Sequence, residues 1–124
     1  MSDDKKKIMV IDDEPLILNI SQEIIAFLGY ECVTAEDGNI AMKILSEVVP
    51  DLILLDFYLP NMPGEKILEN ILTKYPDYKE LTASGRELND DEYESIKEKG
   101  AIGFLYKPYT INELKETLQK HLGN

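Results

Sequence analysis

The chain has 124 residues, 44% hydrophobic and 30% charged, with 13 Lys and Arg against 24 Asp and Glu and a formal net charge of −11. That length holds one domain with an ordinary core and excludes two. The acidic balance excludes nonspecific binding to nucleic acid or to an anionic membrane, which needs a basic surface, and the single cysteine, Cys32, excludes an internal disulfide.

Residues 1–7, "MSDDKKK", read as a solvated leader, residues 8–122 as the domain and 123–124 as its end. No stretch has the length of a signal peptide or a membrane span, which predicts a cytoplasmic protein. The first strand is Ile8–Ile11, and it runs into Asp12-Asp13-Glu14 and then Pro15, a residue suited to the first turn of a helix. Ile17, Ile20, Ile24, Phe27 and Leu28 trace the expected buried face of that helix, which Gly29 ends. The second strand is Cys32–Ala35, with Cys32 expected to be a small buried residue. Asp37 caps a second helix whose apolar face is Ile40, Ala41, Ile44, Leu45 and Val48. The third strand, Leu52–Leu55, leads through Asp56 into "PNMPG" (Pro60–Gly64), a loop.

Ile67, Leu68, Ile71, Leu72 and Tyr75 line the third helix, and "KELTAS" (Lys79–Ser84) is a fourth strand interrupted by Glu80. The segment Asn89–Lys99 has only Tyr93 and Ile96 as anchors, so the fourth helix should pack most loosely. The fifth strand, Ile102–Tyr106, ends at Lys107. Thr110 and Glu113 form a capping box for the last helix, which buries Ile111, Leu114, Leu118 and Leu122 and carries His121 in its last turn, where a cation suits the helix dipole.

Strands alternating with single helices predict an α/β fold with a parallel sheet covered on both faces. In such sheets the ligand crevice lies beyond the carboxyl ends of the strands, where strand order reverses. Asp12 and Asp13 end the first strand, Asp56 the third, Ser84 the fourth and Lys107 the fifth. Carboxylates brought together there raise one another's pKa values unless a cation compensates. Lys107 supplies one charge, and Mg2+ suits a site of oxygen ligands without histidine or thiolate. A carboxylate held beside a metal is a nucleophile for a phosphoryl group, which singles out Asp56.

The segments "VIDDEP", "DLILLDFYLPNMPG", "ELTASG" and "GFLYKPY", in this order, resemble the receiver domain of two-component response regulators over residues 8–122. The resemblance implies a flavodoxin-like, doubly wound (βα)5 fold with a five-stranded parallel sheet of order 2-1-3-4-5. It implies phosphorylation of Asp56 by the phosphohistidine of a histidine kinase or by a small phosphodonor. It implies Mg2+, or Mn2+, held by Asp13, Asp56 and the backbone carbonyl of Tyr58, with Asp12 acting through a water. Lys107 would pair with the acids and then with the phosphoryl group, ahead of a cis bond to Pro108. Ser84, 28 residues after Asp56 and 23 before Lys107, is the preferred switch hydroxyl, with Thr82 as second choice. Phe104 falls on the aromatic switch position. Tyr58 and Arg86 stand at positions that tune dephosphorylation, where their bulk would hinder an attacking water.

The family reading implies a sensor kinase or phosphotransfer protein as donor. It places an effector or output domain on the surface of the fourth helix, fifth strand and fifth helix, in a monomer or a phosphorylation-dependent dimer. Pro63, where many members carry aspartate, and Glu80, in a strand usually apolar throughout, depart from the pattern. Other readings are a docking receiver that takes no phosphate, a Mg2+-dependent aspartyl phosphatase and a flavin-binding electron carrier. The phosphatase commonly needs an acid two residues after its nucleophile, where this chain has Tyr58, and Asp12, Asp13 and Glu14 would repel a flavin phosphate. The chain therefore reads as a switch and not as an enzyme.

Overall fold

A computed structural model describes residues 5–59 and 62–123. Residues Met1–Asp4 of the expected leader, Pro60 and Asn61 of the expected loop, and Asn124 lie outside the described residues. Strands and helices alternate in the order β1 (Lys7–Ile11), α1 (Pro15–Phe27), β2 (Glu31–Ala35), α2 (Gly38–Leu45), β3 (Leu52–Asp56), α3 (Gly64–Lys74), β4 (Glu80–Ser84), α4 (Asp90–Glu98), β5 (Gly103–Tyr106) and α5 (Ile111–Leu122). The strands form one parallel sheet of order β2-β1-β3-β4-β5, as expected.

The long apolar runs of β1 and β3 follow from burial on both faces of a central strand. Met9, Ile11, Ile53 and Leu55 pack with residues of α2, α3 and α4, while Ile8, Val10, Leu52 and Leu54 pack with α1 and α5. β2, at the sheet edge, is only partly covered, and Cys32 is half-buried where full burial was expected. Asp37 and Thr110 accept from Ile40 N–H and Glu113 N–H, so both expected caps form. Gly29 (φ 97°) and Gly100 (φ 111°) take the left-handed conformation that closes α1 and α4.

The buried face of α1 agrees with expectation only in part: Ile24 and Leu28 pack half-buried against the core, but the fully buried residues are others. Leu18, Ser21 and Ile25 face the core, and Phe27 is 77% exposed along with Leu16 and Ile20. The apolar residues of the helix span a wide arc, interrupted by the exposed Asn19, Gln22 and Glu23, so more than one stripe satisfies the same spacing, and the sheet selects the one centred on Leu18 and Ile25. Ile40, Ile111 and Ile102 are likewise exposed, and the fifth strand starts one residue later than predicted. In α4 only Ile96 is fully buried, in keeping with a loosely anchored helix, while Tyr93 stays exposed and tilts against Phe104 at 5.6 Å. His121 lies in the last turn of α5 as expected, but its surroundings work against the cationic form. Burial, then Lys120 and Lys79, lowers its pKa, and Lys79 Nζ instead donates to the His121 carbonyl at 2.7 Å.

Glu80 begins β4 opposite Ile53 and is fully buried. Burial pushes its carboxyl up to about 8, against the smaller lowering effect of the Thr82 hydroxyl. A proton retained at neutral pH removes the charge that would otherwise be intolerable in a strand interior.

One glycine controls the approach to the rim. Gly64 opens α3 directly against β3, its N–H donating to Phe57 O at 2.9 Å. A Cβ there would sit 2.5 Å from Asp56 O and 2.7 Å from Phe57 Cα, both backbone atoms that cannot swing aside. Gly64→Ala is expected to cost about 2–3 kcal/mol or more by overpacking, read as a lower urea midpoint with an unchanged slope.

Candidate phosphoacceptor site

The register places the predicted residues at one rim. Ile11 lies opposite Leu55 on one side and Ala35 on the other, so Asp12 and Asp56 leave neighbouring strands at the same level. Asp56 itself pairs with Ala83, and Lys107 N–H donates to Ser84 O at 2.7 Å just past the end of β5. Carboxylate oxygens of Asp12, Asp13 and Asp56 all come within 4.8 Å of one another.

Lys107 bridges two of these acids. Its Nζ lies 2.8 Å from Asp12 Oδ2 and 3.2 Å from Asp56 Oδ2, with Glu14 at 3.6 Å. Asp12 and Asp56 are 2% and 4% exposed, whereas Asp13 faces solvent. The other oxygen of Asp12 accepts from Glu14 N–H at 3.0 Å, and Asp56 Oδ1 accepts from Tyr58 N–H at 3.2 Å. Neither Asp12 nor Asp13 caps α1, whose N-cap Glu14 has no side-chain cap bond. The acids therefore serve the rim and not the helix.

The electrostatics follow from burial and count. Burial, then the charge of Asp12, pushes the Asp56 carboxyl up to about 6 against the pull of Lys107. Burial alone would lower the Lys107 ammonium, but the hydrogen bond and charge of Asp12, then Asp56, hold it raised. Three carboxylates facing one ammonium leave an uncompensated negative charge. That donor set of hard oxygens fits a divalent cation of the magnesium type.

The remaining predicted residues divide between the rim and its surroundings. Tyr58 and Arg86 line the mouth of the acidic cleft, about 410 Å³, with Asp13, Glu14, Asp56, Gly85 and Lys107. The Ser84 hydroxyl is buried in its own turn, donating to Arg86 O at 2.8 Å and accepting from Arg86 N–H at 3.1 Å. Thr82 is committed elsewhere, donating to Glu80 at 3.0 Å. Phe104 sits beyond the rim, between Tyr93 and Tyr106, in a groove of about 410 Å³ that also reaches Lys97 and His121. The Lys107–Pro108 peptide bond is cis.

Two participants were not singled out from the sequence. Glu14, given no role of its own beside Asp12 and Asp13, belongs to the Lys107 cluster. Glu92 contacts both Tyr58 and Arg86. The spacing Asn89-x-x-Glu92 carries a capping-box signature, and that box forms, but nothing local signals the long-range contacts.

A doubly wound sheet with a lysine-bridged acidic pocket at the carboxyl ends of its central strands places the chain among open α/β folds that carry a polar crevice at the strand-order switch. Among these, the response regulator receiver domain matches residues 8–119, and the chain belongs to that family. Sporulation initiation phosphotransferase F of Bacillus subtilis (strain 168) is 33% identical, over 94% of each chain. The chemotaxis protein CheY4 of Vibrio cholerae superposes with a TM-score of 0.91 at 28% identity, covering 95% of this chain and 99% of that one. The response regulator TrrA of Thermotoga maritima, solved in complex with Mg2+ and BeF, gives 0.82 at 31% identity, covering 94% and 99%. The chain spans 51% of the probable C4-dicarboxylate response regulator DctR of Bacillus subtilis (strain 168) and 12% of the sensor histidine kinase RcsC of Salmonella typhi.

Proposed function

We propose that this receiver domain takes a phosphoryl group onto Asp56 and thereby switches its α4-β5-α5 surface. The observation that carries the reading is the Asp12–Lys107–Asp56 bridge with Asp13 beside it. Asp13, Asp56 and the Tyr58 carbonyl would hold Mg2+ directly, and Asp12, already engaged by Lys107 and Glu14 N–H, would act through a water. The bound cation supplies neutralisation of the phosphoryl oxygens as charge shifts onto them.

With a pKa of about 6, Asp56 is mostly ionised at neutral pH. A carboxylate oxygen attacks phosphorus while the bond to the donor breaks. For a phosphohistidine of a histidine kinase or phosphotransfer protein, the electron pair returns to the imidazole nitrogen. Lys107 then exchanges its Asp56 contact for a phosphoryl oxygen. Ser84 leaves its turn to donate to the phosphoryl group, with Thr82 held out of competition by Glu80, and Phe104 repacks toward the vacated space. The modification adds about two negative charges, and its differential contacts in the two states are what shift the equilibrium. Tyr58 and Arg86, at the cleft mouth, obstruct the water that would hydrolyse the acyl phosphate. The output partner is an effector or output domain, in a cytoplasmic protein that acts as a monomer or as a phosphorylation-dependent dimer and does not itself bind nucleic acid.

Incubation with acetyl phosphate should add one phosphoryl group in Mg2+ and none in excess chelator. Incorporation indifferent to the metal would contradict the reading, and its complete absence with every donor would favour a receiver that only docks. Mg2+ alone should stabilise the fold by roughly 2.7 kcal/mol at about a hundred times its dissociation constant. Asp13→Asn should largely remove that gain in a thermal melt, and a variant melting like the parent in Mg2+ would displace Asp13 from the ligand set.

A further inference from the structure

Arg86 is the second cation at the cleft mouth, and its present partners are unusual for a residue beside an acidic pocket. Its guanidinium sits on Glu92 of α4. Nη2 lies 3.0 Å from Glu92 Oε2 and Nη1 donates more loosely to Glu92 Oε1 at 3.5 Å, and the guanidinium carbon stands 4.5 Å from the centre of the Tyr58 ring. Nη1 donates to Glu87 O at 2.8 Å. The Tyr58 hydroxyl donates to the same Glu92 oxygen at 3.3 Å. Glu92 meanwhile closes the α4 capping box, its Oε1 accepting Asn89 N–H at 3.0 Å.

These contacts join three elements across the phosphoacceptor. Tyr58 is tied back to Asp56 through its N–H, and the backbone of Arg86 holds both hydrogen bonds of the Ser84 hydroxyl. The Arg86 side chain remains 55% exposed, so it is held by partners and not by packing. Exposed ion pairs of this kind are weak, and a guanidinium prefers a phosphate-like dianion, which it can engage with two parallel bonds.

We infer that Arg86 is a reserve ligand for the phosphoryl group, parked on Glu92 and Tyr58 in the unphosphorylated protein, and that its transfer frees Glu92 and the start of α4. The inference rests on Asp56 being the phosphoacceptor. Two links follow from one movement. The phosphoryl group gains a ligand besides Lys107, and α4, which buries only Ile96, loses a tether to the cleft. The pull of Ser84 on the phosphoryl group acts in the same direction, because its departure breaks the turn bonds that fix the Arg86 backbone.

The test is a cycle of Arg86→Gln and Glu92→Gln, read as the affinity for beryllofluoride in saturating Mg2+ by tyrosine fluorescence or NMR. Glutamine at 92 keeps an acceptor for Asn89 N–H, so the capping box survives. Glu92→Gln should tighten beryllofluoride binding roughly two- to fivefold by releasing Arg86, and Arg86→Gln should weaken it. In the Arg86→Gln background, Glu92→Gln should change nothing. The same gain in both backgrounds would mean that Glu92 acts only through its charge, and an unchanged affinity in Arg86→Gln would remove Arg86 from the phosphoryl group; either overturns the inference while leaving Asp56 in place. A parent protein that binds no beryllofluoride would instead overturn the phosphoacceptor reading and the inference with it.

Discussion

Asp56→Asn is expected to abolish phosphoryl incorporation from acetyl phosphate or a kinase while leaving the protein folded and at least as stable near neutral pH. Loss of function follows because the amide oxygen is a poor nucleophile and the variant forfeits one of the three carboxylates clustered at the rim. Retained stability follows from the charge count. Asp12, Asp13 and Asp56 together face Lys107, and the raised pKa of Asp56 shows that burial and Asp12 outweigh the lysine's attraction. Removing the Asp56 charge relieves that repulsion, and Lys107 keeps Asp12 at 2.8 Å. The opposite change is the damaging one, since Lys107→Ala leaves buried acids with no cation, a situation costing several kcal/mol. Incorporation by Asp56→Asn at the parent level would reject the assignment of the nucleophile.

The second large effect belongs to Glu80. Its carboxyl, held at about 8 by burial, keeps a proton in the native state that an unfolded chain, with an ordinary value near 4.5, gives up. Between those values the folded protein binds more protons, so stability falls as pH rises. The contribution of this group is complete below about 4.5 and is lost as pH climbs through 8. The gap corresponds to roughly 5 kcal/mol as an upper bound. Glu80→Gln preserves an acceptor for the Thr82 hydroxyl and has no proton to lose. The parent should therefore show a steep decline of the melting temperature from about pH 5 to 8 that levels off above 8, and Glu80→Gln a markedly flatter one. Parallel curves would show that Glu80 is ionised in the native state at neutral pH.

How far the sequence anticipates this structure depends on whether a signal is local. Asp12, Asp56 and Lys107 are each the first polar residue after an apolar run, and a parallel sheet carries every such terminus to one rim. The strand alternation and the capping residues Asp37 and Thr110 are also local, which is why element order follows from them, whereas the sheet order is implied only by the family resemblance. The buried stripe of α1 is not local. Leu16, Ile17, Leu18, Ile20, Ile24, Ile25 and Phe27 offer several equivalent faces, and only docking on β1 chooses between them. The pairing of Thr82 with Glu80 depends on burial of a carboxyl by tertiary packing, which makes Glu80 look like an interruption of the strand in sequence and a protonated hydrogen-bond partner in three dimensions. The contacts of Glu92 with Tyr58 and Arg86 join residues 34 and 6 positions apart, beyond any helical or strand periodicity.

If Asp12, Asp13, Asp56 and Lys107 act as a single pocket, its product is an acyl phosphate on Asp56. The most direct measurement is borohydride reduction of the protein after acetyl phosphate and Mg2+, followed by peptide mapping. Residue 56 alone should be converted to homoserine, and only when Mg2+ was present. Reduction at Asp12 or Asp13, or a borohydride-resistant phosphate on a serine, threonine or tyrosine, would contradict that assignment.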